Sequence, residues 1–127
     1  CLDGCADPAR GALRIARVNY DPPGDERRKP NSESITMKNT GAVALSLFGY
    51  ELRAGGFGYE FGPHDALAPG QRLTIRLGTG QSTAAERHLC LGRAALANSG
   101  DRILLRSFDG APLDCKAWGK MKCLAGY

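Results

Sequence analysis

What most limits the fold of this chain is how often it has to turn. Pro22-Pro23-Gly24, Asn39-Thr40-Gly41, Gly55-Gly56, Gly62-Pro63, Pro69-Gly70, Asn98-Ser99-Gly100-Asp101 and Asp109-Gly110 interrupt it repeatedly. Each contains a proline, which fixes φ, or a glycine, which tolerates positive φ, and several add an Asn, Asp or Ser that bonds its own backbone, so each is a turn with a mechanism. Turn signals at about 8–12-residue spacing leave no room for ordinary helices and indicate short strands stacked in a sandwich.

The residues between the turns agree. Ser32–Phe61 reads as three short strands, a half-buried antiparallel meander. Ile35 and Met37 alternate with Thr36 and Lys38; Leu45, Leu47, Tyr50 and Leu52 form a second run disturbed at Gly49; Phe57, Tyr59 and Phe61 alternate in the third. Successive strand side chains point to opposite faces, so a period of two marks one buried face. The aromatics gathered here place the centre of the core in this stretch. Leu13, Ile15, Val18 and Tyr20 predict a first strand whose period slips between Ile15 and Val18, which signals a bulge. Leu73, Ile75 and Leu77 predict a surface strand with Arg72, Thr74 and Arg76 outward, and Leu89 and Leu91 a short one. Ser82–Arg87 is compatible with one helical turn. Ile103 and Leu105 face inward on a strand that Asp109-Gly110 turns, as a type I′ hairpin, into a last strand. There Leu113, Cys115 and Ala117 alternate with Asp114, Lys116 and Trp118, which puts Trp118 on the outward face. The expected organisation is an arm over 1–12, one β-sandwich domain over 13–119 and a tail over 120–127.

Composition narrows the setting. The net charge of +4 is too mild, and too evenly spread, to name an anionic partner. The excess of Arg over Lys, with abundant Ala and Gly, reads as a GC-rich, bacterial coding bias. No apolar run approaches the ~20 residues that span a bilayer. Five cysteines in 127 residues favour an oxidising compartment, hence a secreted or cell-surface protein.

Several segments, in consistent order, resemble the lamin tail domain family. Asn19-Tyr20-Asp21-Pro22-Pro23-Gly24-Asp25 looks like its opening. Ser32–Gly41 is similar to its E-x-I/V-x-L-x-N-x-G segment, and Leu47-Phe48-Gly49-Tyr50-Glu51-Leu52 to its L-x-G-W-x-L. Tyr59-Glu60-Phe61 with Leu67-Ala68-Pro69-Gly70 resembles Y-x-F … L-x-P-G. Leu96–Asp101 and Leu113–Gly119 resemble L-x-N-x-G-D and V-D-x-x-x-W-G. The chain departs from the family at Cys90, near an aromatic pair the family often carries, and in its flanking cysteines. The resemblance implies an immunoglobulin-like β-sandwich of two antiparallel sheets and an interaction module without catalytic residues. In nuclear lamins such domains bind proteins and, weakly, DNA. In bacteria they occur in secreted or surface proteins, sometimes attached to nucleases or phosphoesterases.

The cysteines are the chain's own addition. The preferred pairing is Cys90–Cys115 plus an arm-to-tail bridge, Cys5–Cys123, although four cysteines allow three connectivities. Cys1 is then left for lipidation, for an intermolecular disulfide, or for a bond to Cys5 or Cys123. His88, Cys90, Cys115 and Cys123 lack zinc-site spacing, and Asp21, Asp25 and Glu26 lack an EF-hand pattern, so no metal or cofactor is expected. No G-x-S-x-G elbow is present, and neither histidine has a recognisable partner.

The chain therefore reads as a non-catalytic adaptor that binds another secreted or surface protein within an extracellular assembly. Its candidate interaction surface is Trp118, the Arg27-Arg28-Lys29 loop, and Arg72 with Arg76. The alternative is a targeting domain that brings a secreted hydrolase to nucleic acid or polysaccharide through those basic residues.

Overall fold

The computed structural model describes residues 9–19, 33–78, 83, 85–90, 96, 100–125 and 127. Within them the chain is all-β. The strands are β1 (Leu13–Asn19), β2 (Ser34–Asn39), β3 (Leu45–Ser46), β4 (Glu51–Arg53), β5 (Gly58–Glu60), β6 (Ala66–Leu67), β7 (Arg72–Arg76), β8 (Glu86–His88), β9 (Gly100–Arg106) and β10 (Pro112–Gly119). They form one four-stranded sheet in the order β1-β2-β7-β8, a second in the order β10-β9-β4-β5, and a small β3-β6 pair. The inner faces meet in a core that fully buries Leu13, Ile35, Met37, Leu52, Ile75 and Leu105, with Phe61 among its largest members. Each such side chain contributes about 1.5–3 kcal/mol relative to exposure.

The alternation predicted for β2, β7 and β9 is present, and so is the bulge in β1, where the register with β2 shifts between Ile15 and Arg17. Pro69-Gly70 makes the expected type II turn: Gly70 has φ +78° and Gln71 N–H donates to the Ala68 carbonyl at 3.0 Å.

Three expectations are corrected. Ser32–Phe61 is not a meander, because β2 pairs with β1 and β7 while β4 pairs with β5 and β9. The chain changes sheets between them, and Asn39 is the pivot. It is fully buried, its Nδ2 donates to the carbonyls of Val43 (2.7 Å) and Leu67 (3.0 Å), and its Oδ1 accepts from Gly41 N–H (3.0 Å). A Cβ at Gly41 would lie 2.9 Å from that of Ala12. Residues 86–88 are strand, not a helical turn, and β8 runs parallel to β7, so the first sheet is mixed; β7 lies inside that sheet and keeps the expected outward Arg72, Thr74 and Arg76. The β9–β10 hairpin is not type I′. Only Gly110 has positive φ, and Gly110 N–H donates to the Ser107 carbonyl, as in a three-residue loop of a type I turn and a left-handed glycine.

A second bulge, between Pro112 and Asp114, decides the last strand. The extra residue reverses the alternation. Trp118 lies opposite Asp101, two positions from inward-facing Ile103, and packs partly buried against the core. Cys115 lies opposite Leu104 on the outer face. Strand β10 also closes the sandwich beside β1, where Ile15 N–H donates to Asp114 Oδ2 at 2.9 Å.

The tail folds back over that outer face. Cys115 is disulfide-bonded to Cys123, Arg102 donates to the Lys122 carbonyl at 3.2 Å, and Arg106 donates to the Tyr127 hydroxyl at 2.7 Å. The Cys90–Cys115 and Cys5–Cys123 pairings are thus replaced. Cys90 follows β8, the edge of the first sheet remote from β1, whereas Cys115 sits on β10 beside β1. The two halves of that bridge lie at opposite edges of the sandwich, and Cys90 is a free, exposed thiol. Cys1 and Cys5 lie outside the described residues.

Candidate protein-interaction surface

Two aromatic side chains escape the core at neighbouring turns. Phe48 is 60% exposed and Phe108 64%. Isolated exposed apolar residues are ordinary, but two phenylalanines presented by adjacent turns are not.

Phe48 occupies the turn between β3 and β4. Tyr50 N–H closes the turn on the Leu47 carbonyl at 2.9 Å, and Gly49 takes φ +82°. The turn sends Leu47 inward, fully buried, and Phe48 outward. Phe108 stands at the tip of the β9–β10 hairpin. Asp109 braces that tip by accepting from the Ser107 hydroxyl and from Ala111 N–H, and these bonds hold its carboxyl below the usual range. The two turns touch, since a Cβ on Gly49 would lie 3.0 Å from that of Phe108. The Tyr50 ring stacks beneath Phe108 with centroids 6.2 Å apart. Both turns are therefore held before any partner arrives, and a partner that covered them would recover roughly 1.5–3 kcal/mol per ring.

The residues singled out in the sequence do not converge. Arg72 and Arg76 point outward from the first sheet, and Arg76 is engaged with Glu86 at 2.6 Å. Arg102 and Arg106 occupy the outer face of the second sheet, where with Arg53, Leu104, Met121 and Leu124 they line a cleft of about 280 Å³ beside the tail. The two arginine pairs thus lie on opposite sides of the sandwich. Trp118 belongs to the core side. Arg27, Arg28 and Lys29 lie outside the described residues.

The buried carboxylates are structural. Glu33, fully buried, accepts from Leu96 N–H at 3.2 Å and fastens Leu96 to the start of β2. Asp65 accepts from Arg87 and from Gly62 N–H, and Asp101 accepts from Gly55 and Arg102 N–H. Tyr59 beside this Asp65–Arg87 pair has its phenol pushed up, first by burial and then by the Asp65 charge. Among the described residues no three His, Cys, Asp or Glu side chains form a metal-binding group. No helix among them is long and apolar enough to cross a membrane.

Sequence reasoning missed Phe48 because it assigned the aromatics of Ser32–Phe61 to the core by type, and it placed Phe108 in the hairpin turn without reading it as a contact. The available signal was position, since Phe48 directly precedes a turn glycine and Phe108 sits within the Asp-Gly turn, where side chains project.

The family model described as Lamin Tail Domain matches residues 6–120. No curated protein matches the chain.

Proposed function

The chain belongs to the lamin tail domain family, non-catalytic immunoglobulin-like domains that often mediate protein interactions, and from that premise we propose that it is an adaptor within an extracellular protein assembly. It docks a secreted or surface protein on the Phe48–Phe108 end of the sandwich. The observation that carries this reading is the pair of exposed rings on two mutually braced turns. Aromatic anchors on a rigid base are the usual centre of an interface, because they bury large area at little cost in conformational entropy. The Cys115–Cys123 disulfide supports an oxidising location, where such a bond persists. The domain proper spans 13–119, and residues 120–127 act as a strap on it.

The test is recovery of partners from native culture medium with the intact chain and with its Phe48→Ser/Phe108→Ser variant. The adaptor reading expects a defined protein with the intact chain that is lost with the variant. Equal recovery by both overturns the assigned surface, and a chain that recovers only itself overturns the adaptor role.

A further inference from the structure

The outer face of the β1-β2-β7-β8 sheet carries an arrangement that folding alone does not favour. Arg14 lies opposite Lys38, and Lys38 lies opposite Arg72, so three cations form one row across three adjacent strands. Neighbouring strands are about 4.8 Å apart, and like charges directly opposite one another destabilise a sheet. Arg17 extends the positive field in the next row, while Arg76 in the row beyond it is neutralised by Glu86 at 2.6 Å. Relief is slight. Arg14 reaches Asp114 only at 3.6 Å, Glu86 is taken by Arg76, and among the described residues Lys38 and Arg72 have no acidic partner. Between the cations the face carries hydroxyls: Thr36 and Thr74 share a hydrogen bond at 3.2 Å, and Ser34 continues their line on β2.

The geometry points to this face as a binding surface for a linear acidic polysaccharide. The cations match the carboxylates or sulfates of such a chain, and the threonine hydroxyls between them match its sugar hydroxyls. The same observations disfavour nucleic acid. A sheet face of this width enters neither groove of a duplex, and among the described residues no aromatic side chain stands among these cations to stack an unpaired base. The face is separate from Phe48 and Phe108, so this binding does not rest on the adaptor reading.

The experiment measures binding of the full chain to alginate, with neutral dextran and duplex DNA as comparators, at low and high salt. Binding to alginate that salt weakens, with none to dextran, is expected. Lys38→Gln/Arg72→Gln should weaken it about thirty-fold, from two lost cations at an anionic surface. Lys120→Gln/Lys122→Gln removes the same charge from the tail on the opposite side and should leave binding within about two-fold. Equal loss in both variants would reduce the effect to net charge and overturn the proposal. So would the absence of alginate binding at low salt, or duplex DNA binding as tight as alginate. Retention by Phe48→Ser/Phe108→Ser separates this surface from the protein-docking end.

Discussion

Arg87 grips Asp65 through two of its nitrogens, Nε at 2.9 Å and Nη2 at 2.7 Å, across a largely buried contact between β8 and the loop before β6. Asp65 spends its other oxygen on Gly62 N–H at 2.7 Å. Replacing Arg87 with Met leaves that carboxylate charged and short of its main donors. A loss of about 2–4 kcal/mol in urea unfolding is expected. The double variant with Asp65→Asn should lose less than the two singles summed, because it strands no charge.

Tyr59 next to this pair gives an alkaline signature. Its folded pKa is raised above the ordinary value near 10, so its contribution to stability is complete below that pH and fades as pH rises through the folded value. Stability of the native chain should fall above about pH 10 with a component that Tyr59→Phe removes. An unchanged alkaline slope in that variant would contradict the assignment.

The Cys115–Cys123 bond closes a short loop, with a sequence separation of 8. Chain entropy then gives it about 2.5 kcal/mol, well below what an arm-to-tail bridge over a hundred residues would give. Cys115→Ser/Cys123→Ser should lower unfolding stability by about that amount or less. Because the strap's further side-chain hydrogen bonds among the described residues come from Arg102 and Arg106, limited proteolysis should cut between residues 120 and 127 in the variant before the sandwich unfolds.

Gly49 and Phe108 test whether the docking end is preformed. Alanine at Gly49 meets both a positive φ and the Phe108 Cβ, so Gly49→Ala should cost about 1–2 kcal/mol and displace the hairpin tip. Phe108→Ser removes a mostly exposed ring and its stacking on Tyr50, and should cost about 0.5–1.5 kcal/mol by thermal unfolding. Trp118→Ala, which removes a ring packed on the core, should cost about 2–3 kcal/mol in the same measurement.

Much of this fold is legible along single strands and little of it between them. Ile35 and Met37, Leu73 and Ile75, Ile103 and Leu105 announce their inward face because alternation is a local property. The slip at Ile15–Val18 announces its bulge for the same reason. Sheet membership depends on long-range pairing, so the crossing after Asn39 is invisible in Ser32–Phe61. The bulge at Pro112–Asp114 left no gap in the apolar pattern, and one uncounted residue moved both Trp118 and Cys115 to the face opposite the one predicted. The disulfide expectation failed for the same long-range reason, since strand order sets Cys90 and Cys115 at opposite edges while the tail brings Cys123 back to Cys115. The candidate surface was missed because Phe48 and Phe108 act through turn geometry, which hydropathy does not encode.

The bond from Ile15 N–H to Asp114 ties the first strand to the last across 99 positions. Its consequence is kinetic. During synthesis β1 must wait beside an unfilled edge until β10 emerges, and the local hairpins cannot stand in for that closure. Refolding of this sandwich should fall in the slow range of roughly milliseconds to seconds set by distant strand pairing. The interval before β10 arrives is when the chain is most open to pairing with a second copy of itself.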